Sequence, residues 1–282
     1  MCALKILIIS QYYYPENFII NDFVKSLKIK GNYVEVLTGI PNYPDGRFYK
    51  GYNLLNKNKE VIDNTIIHRS RLFPRLNANK FSISLNYLSF VIFGILKLLF
   101  IRGDFDKIFV FAPSPITVGI VGAFAAKKFK AKAFIWVQDL WPESVKVAGN
   151  VNNKFILETF NKLTKKIYKY YNLIFVQSEG FVSYIVNQNI DSRKIKYLPN
   201  FANDFYLTKK NKIIKYHKFS VTFAGNIGKS QNLEILVEAA KILKKRSEEI
   251  IFIIIGSGRN LNSLEKKIKQ NDVMEYFNFL GR

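Results

Sequence analysis

Apolar strands alternating with amphipathic helices, loops at the strand ends rich in Pro, Gly and polar residues, and a Lys-rich break at 202–218 predict an α/β protein in two units. Leu4–Ser10 reads as a buried strand, and a helix follows the loop Gln11–Asn17 and runs to about Lys30. Asn32–Thr38 and Thr65–Arg69 are the next strands. Ser82–Ile101 is a helix, Lys107–Phe111 a strand, Ile116–Phe129 a helix, Ala133–Val137 a strand, Asn153–Tyr170 a helix and Leu173–Gln177 a strand. Such alternation demands a mostly parallel sheet covered on both faces, with ligands outside the carboxyl ends of the strands. The loops after Ile9, Phe111, Val137 and Gln177 are therefore the places to look for chemistry. A fresh strand begins at Phe219, followed by a helix at Asn232–Lys245, a strand at Ile250–Ile255, a helix at Leu261–Gln270 and a strand at Tyr276–Leu280. The expected boundaries are an N-terminal domain at 1–205, a linker at 206–218 and a C-terminal domain at 219–282.

The 282 residues are 49% hydrophobic and 15% aromatic, enough apolar surface for a globular core. Cys2 is the single cysteine and His68 and His217 are the only histidines, which excludes an internal disulfide and a four-ligand zinc site. The formal net charge is +22. A positive field favours nucleic acid, an anionic membrane or a phosphorylated substrate. Nine of the 43 cationic residues are Arg and the rest Lys, in a chain rich in Asn, Ile, Tyr and Phe, so AT-rich codons account for part of the excess. The Lys clusters at 127–132, 162–169 and 209–218 are broken by apolar residues and match no zinc-finger or RNP pattern, which disfavours nucleic acid.

Phe81–Ile101 is 21 residues long with Lys97 its one formal charge, long enough to span a bilayer. Ser82, Ser84, Asn86 and Ser89 give its first half a polar side. A spanning helix, an amphipathic helix lying on a membrane and a buried core helix all remain open. The few apolar residues after Lys5 do not make a signal peptide.

Four segments carry candidate chemistry. QYYYPEN at 11–17 leads from a strand into a helix N-terminus able to hold an anion, or is a packed aromatic loop; it lacks the glycines of a dinucleotide fingerprint. WVQDLWPES at 136–144 places Asp139 and Glu143 beside two tryptophans. This looks like a sugar site with Asp139 handling a hydroxyl proton, or a structural corner before a helix. FAGNIGKSQNLEILVEAA at 223–240 offers Gly225 and Gly228 for close backbone approach to a diphosphate and Lys229 as a cation, though the P-loop spacing fails. IIIGSG at 253–258 is weak alone, and no nucleophile elbow accompanies it.

In this order, together with PNYPDGRFYKGY at 41–52, YLPNF at 197–201 and the terminal FLGR, these segments resemble the retaining family 4 glycosyltransferases of GT-B architecture. The resemblance is to the WbuB/WcaI-like group of O-antigen, capsule, lipopolysaccharide and colanic-acid biosynthesis, and it covers the whole chain. It implies a complete N-terminal Rossmann-like domain that takes the acceptor and an incomplete C-terminal Rossmann-like domain that binds the nucleotide sugar. The reaction implied is metal-free, cofactor-free transfer from a nucleotide sugar, a UDP-N-acetylated sugar, to a polyprenyl-diphosphate-linked acceptor. The implied location is cytoplasmic, peripheral on the inner face of the bacterial cytoplasmic membrane.

On that resemblance Asp139 takes the catalytic or acceptor-orienting position, and Pro15, Glu16, Asn17, Trp141 and Glu143 contact the acceptor. Gly225, Asn226 and Lys229 face the donor diphosphate, while Gly256, Ser257, Gly258, Leu280, Gly281 and Arg282 approach the nucleoside. Three departures stand out: Asn17–Phe18 in place of a Gly-Gly turn, Asn226 in place of an Arg, and no counterpart within the chain of the family's downstream glutamate pair. The resemblance therefore implies a C-terminally truncated enzyme with weak or absent transfer by residues 1–282 alone, completed in a split enzyme by a separate polypeptide. The alternative is a non-catalytic, membrane-associated binding protein for a lipid-linked sugar.

Overall fold

The structure, a computed structural model, describes residues 3–55, 58–76, 79–147, 151–202 and 219–281. The expected linker at 206–218 lies outside them, as do Arg282, Cys2 and His217. The chain divides into two compact units, 1–207 and 208–282.

Unit 1 is built on strands β1 (Lys5–Ser10), β2 (Tyr33–Gly39), β3 (Lys59–Ile62), β4 (Thr65–Ser70), β5 (Lys107–Ala112), β6 (Lys132–Val137), β7 (Leu173–Val176) and β8 (Ile195–Tyr197). They lie in the order β3-β4-β2-β1-β5-β6-β7-β8, all parallel except β3, which runs antiparallel to β4. The order reverses between β1 and β5, the point where α/β sheets open a crevice at their carboxyl edge. Strand residues alternate between two cores. Leu7, Ile9, Leu37, Val110, Ile135 and Val176 face the layer formed by α2 (Lys80–Phe100), α3 (Val118–Phe129), α5 (Lys154–Tyr170) and α6 (Gly180–Val186). Ile6, Ile8, Val34, Val36, Phe109 and Trp136 face α1 (Ile19–Ile29). A short α4 (Glu143–Val147) follows the β6 loop.

Every strand and helix expected in this unit is present. Four further elements, β3, β8, α4 and α6, are too short to show a period. β3 and β4 form a hairpin whose two-residue turn, Asp63–Asn64, sits at φ 48° and 55°, the left-handed pair that a tight hairpin needs. α2 is the one helix among the described residues long and apolar enough to cross a membrane, and a third of its apolar window is buried. Asn79 caps it by accepting from the Ser82 amide. Asn86, Ser89, Phe90, Gly94 and Leu98 face the protein, whereas Phe81, Leu85, Leu88, Ile92, Leu96 and Leu99 face outward.

Unit 2 is a three-stranded parallel sheet in the order β11-β10-β9, from β9 (Phe219–Ala224), β10 (Ile250–Ile255) and β11 (Phe277–Gly281). Its core joins Phe252, Ile254, Phe277 and Leu233 to Val237 on α7 (Ile235–Lys245) and to Leu264 and Ile268 on α8 (Leu261–Gln270).

α3 approaches its sheet without a gap. A Cβ on Gly122 would stand 2.2 Å from Val110 Cγ2 and 2.4 Å from the Tyr171 hydroxyl, which itself donates to the Gly119 carbonyl at 2.7 Å. Gly122→Ala is expected to destabilise unit 1 by about 1–3 kcal/mol through overpacking. Denaturant unfolding followed by circular dichroism checks this, with the surface change Lys127→Ala as the neutral control.

Candidate functional site

The loop after β1 is anchored from within. Glu16 is 1% exposed, and its Oε1 accepts from the Asn42 amide at 2.8 Å and the Tyr43 amide at 2.7 Å, joining the β1 loop to the β2 loop. Burial pushes its carboxyl up to about 7 against the lowering effect of these amides and of Arg69. Arg69, fully buried at the end of β4, donates through Nε to Glu60 at 2.7 Å, through one terminal nitrogen to the Gly39 carbonyl and through the other to the Tyr14 carbonyl. Gln11 donates to Asn86 Oδ1 on α2 at 2.7 Å. Of the residues expected to meet an acceptor here, Asn17 is exposed and Pro15 half-buried. Glu16 does not present its carboxyl to solvent; it positions two loops.

The β5 and β6 loops meet through Asp139. Its carboxyl accepts from the Ser114 hydroxyl, and burial raises its pKa despite that bond. Asp139 is half-buried, and Gln177 at the end of β7 donates to the Gln138 carbonyl beside it at 3.0 Å. A carboxylate shifted upward and still accessible has the chemistry to take or orient a hydroxyl proton.

The tryptophans expected to form a sugar platform do not. Trp136 is fully buried among Phe23, Phe109 and Phe111, with Nε1 donating to the Leu198 carbonyl at 3.0 Å. Trp141 is 6% exposed, edge-on to Phe160 at 5.3 Å in the helix-side core. Their rings went into the two cores: Trp136, at the strand end, points to the α1 side of the sheet, and Trp141, in the following turn, lies beneath the α5–α6 layer. Glu143 accepts from the Tyr184 hydroxyl and borders a cleft of ≈ 560 Å³ with Lys146, Lys154, Asn161 and Gln188, a cleft that Asp139 does not line. The peptide bonds Tyr14–Pro15, Tyr43–Pro44, Ser114–Pro115 and Trp141–Pro142, one in each of these four loops, are cis.

In unit 2 the donor candidates come together on backbone. The Gly225 amide donates to the Ile255 carbonyl and the Ile227 amide to the Ser257 carbonyl, each at 2.9 Å, and the Gly256 amide to the Gly281 carbonyl at 2.6 Å. Gly256 sits at φ +147°, and a Cβ there would lie 1.9 Å from the Gly225 carbonyl oxygen; one on Gly258 would lie 2.2 Å from the Ile227 oxygen. Asn226, Lys229, Ser257 and Leu280 stand exposed around this junction. The result is a glycine-rich backbone surface at the carboxyl ends of three parallel strands, with a lysine beside it, suited to an anionic group.

Residues 207–282 match the family model described as Glycosyl transferases group 1. That segment is a group 1 glycosyltransferase domain. The whole chain is 23% identical to an uncharacterized glycosyltransferase of Methanocaldococcus jannaschii over 298 residues, covering all of this chain and 70% of that protein. It is 22% identical to the putative colanic acid biosynthesis glycosyl transferase WcaI of Escherichia coli K12, covering 97% and 71%. Anabaena HepE in complex with UDP-glucose superposes with a TM-score of 0.62 at 14% identity, covering 99% of this chain and 69% of that one. The lipopolysaccharide outer core galactosyltransferase WaaB superposes with a TM-score of 0.57 at 12% identity, covering 99% and 68%. The fold is GT-B, and the group 1 domain is the unit in which the glycine-bearing loops converge.

The sequence patterns pointed to the loops after β1, β5, β6, β7, β9 and β10 but passed over Arg69, Arg75 and Ser114, and read Asn86 only as part of the polar side of α2. Arg69 had a signal, a cation at the end of a strand of the parallel sheet. The buried Glu16 carboxyl makes a stability prediction. Its native pKa lies above the unfolded value, so the native state binds the extra proton and stability falls as pH rises from about 4.5 through 7, by up to about 3 kcal/mol. Glu16→Gln keeps the accepting oxygen and removes the titration. The melting temperature of the variant relative to the parent is expected to climb between pH 5 and pH 8; a constant difference would show that Glu16 does not titrate in that window.

Proposed function

We propose that the chain is a retaining glycosyltransferase that moves a sugar from a nucleotide sugar, a UDP-N-acetylated sugar, to a lipid-linked acceptor in bacterial surface polysaccharide synthesis. The observation that carries this reading is the junction of the Gly225–Gly228, Gly256–Gly258 and Gly281 loops beside Lys229, inside a group 1 glycosyltransferase domain. Amides and a lysine there neutralise the diphosphate as the sugar C1–oxygen bond breaks. The new bond forms from the acceptor hydroxyl oxygen to C1, and Asp139 holds or takes the hydroxyl proton. Neither a metal nor a cofactor is part of this reading. The UDP-glucose complex of HepE and the colanic-acid assignment of WcaI support the substrate classes.

Calorimetric titration with UDP, GDP and their sugars tests the donor half. Selective micromolar binding of UDP is expected, and Lys229→Met, which removes the exposed cation beside the Gly225 loop, is expected to weaken it at least tenfold. Binding of no nucleotide by a folded chain would overturn the reading.

The same proposal places the chain in the cytoplasm, peripheral on the inner face of the membrane. Its support is α2, which shows water an apolar stripe at helical spacing, contains no acidic residue, and carries Lys97 close enough to Lys59 and Arg71 that their repulsion adds to burial in lowering its pKa. Each large apolar side chain entering a bilayer is worth about 1.5–3 kcal/mol, and basic neighbours add attraction to anionic lipid. Flotation with phosphatidylglycerol-containing vesicles is expected to carry the chain, and Leu88→Asp with Ile92→Asp to leave it at the bottom of the gradient. Equal flotation of both proteins would refute contact through α2.

A further inference from the structure

The stretch between β4 and α2 holds none of the motifs read from the sequence, yet Arg75 within it is fixed by three separate pieces of chain, the β1 loop, the β2 loop and α2. Its guanidinium carbon stands 5.1 Å from the Tyr12 ring centroid, 5.7 Å from that of Tyr43 and 4.9 Å from that of Tyr87. Its Nε donates to Asn86 Oδ1 at 3.1 Å, the same oxygen that receives Gln11 Nε2. Asn86 is itself held, donating to the Phe73 carbonyl at 2.6 Å. On the far side Gly46, at φ +74°, lets the β2 loop close on Arg75 so tightly that a Cβ would lie 2.5 Å from the Arg75 carbonyl oxygen.

What this cage lacks is an anion. Among the described residues no carboxylate pairs with Arg75, and no oxygen accepts from its two terminal nitrogens. The nearby Glu16 is committed to the Asn42 and Tyr43 amides. Two more polar atoms of the same cluster are buried without a partner, the Tyr12 hydroxyl and Gln11 Oε1, on side chains 2% and 1% exposed. A positioned, partly buried cation with spare donors beside an unused hydroxyl is an unbalanced arrangement, and a ligand of opposite charge balances it. The planar fork of a guanidinium matches two oxygens of a phosphate group.

We propose that Arg75 and the Tyr12 hydroxyl bind the diphosphate of the lipid-linked acceptor, a subsite that rests on the glycosyltransferase reading above. Asn86 and Tyr87 belong to α2, the helix whose outward side carries Leu85 and Leu88, so the anion-binding cluster and the apolar stripe share one element. A prenyl diphosphate carries both complements, a doubly phosphorylated head and a hydrocarbon chain. Tyr12 supplies a donor to the phosphate, and Gln11 Oε1 remains to accept from a hydroxyl of the attached sugar.

The test titrates the full chain with inorganic pyrophosphate, farnesyl diphosphate and UDP, comparing the parent with Arg75→Lys, Arg75→Met and Tyr12→Phe and recording a melting curve for each. Pyrophosphate and farnesyl diphosphate binding is expected to drop at least tenfold in Arg75→Met and severalfold in Tyr12→Phe, with Arg75→Lys between, while UDP binding is unchanged. Tyr12→Phe keeps the ring and removes only the hydroxyl, so it decides the matter if Arg75→Met does not fold. Unaltered pyrophosphate binding in folded variants, with a lower melting temperature, would make Arg75 a purely structural cation and overturn the proposal. Loss of UDP binding in parallel with pyrophosphate would assign the cluster to the donor and equally overturn it. A parent that binds pyrophosphate through Arg75 but no nucleotide would sustain this subsite and sink the glycosyltransferase reading instead.

Discussion

Parallel pairing constrains unit 1 more than any other feature. With β1 flanked by parallel β2 and β5, the connections between parallel strands must return over a face of the sheet, and every loop entering a helix must leave from one edge. That edge collects backbone groups that have finished their ladder bonds and are shielded from water. The polar side chains buried there answer that need: Gln11, Glu16, Asn42, Arg69, Ser70 and Asn86 are all buried at or near the carboxyl ends of β1, β2 and β4, or face them from α2. An amide left without a partner at such a place costs on the order of 1–3 kcal/mol, so a buried carboxylate that satisfies two amides offsets much of its own desolvation. The same network that closes the loops also fixes the atoms a ligand would meet.

The large elements were legible because burial on both faces writes continuous apolar runs, as in Lys107–Ala112 and Ile250–Ile255, and one-sided helices write a 3.6 period, as in Lys154–Tyr170 and Leu261–Gln270. β3 escaped because four residues with alternating exposure, on an edge, hold too little pattern; its signal was the Asp63–Asn64 turn. The tryptophans misled for a different reason. An aromatic residue beside a carboxylate has the same sequence signature whether its ring faces solvent or core, and Trp136 and Trp141 both lie inside. Arg75 was invisible because its meaning comes from Tyr12, Tyr43 and Tyr87, which no local window joins.

α2 shows why hydropathy alone left three readings open. Its inward side uses Asn86, Ser89 and Gly94 to let the helix approach the protein, and its outward side uses Leu and Phe. Apolar residues on both sides erase the amphipathic contrast that distinguishes a surface helix, while the polar inward residues argue against immersion in lipid on every side. A helix that is core on one face and apolar toward solvent on the other satisfies both observations. Lys128 reinforces the inward arrangement, its amine donating to the carbonyls of Leu98, Leu99 and Ile101 where α2 ends.

In unit 2 the glycines carry two duties that are separable by geometry. Gly256 and Gly258 are demanded by neighbouring backbone, since a Cβ at either would overlap carbonyl atoms of the β9 loop whether or not a ligand is present. Gly225 is under no such pressure: a Cβ there would meet only the Phe223 ring, at 3.3 Å. The spacing of Gly256 and Gly258 therefore speaks first for three strand ends packed loop against loop. The case for a diphosphate rests on what that packing leaves uncovered, namely the open backbone at Gly225 and the exposed Asn226 and Lys229 beside it. Those are the positions at which an anion and the local backbone have matching charge, and at which a side chain in place of hydrogen would stand in the ligand's way rather than the fold's.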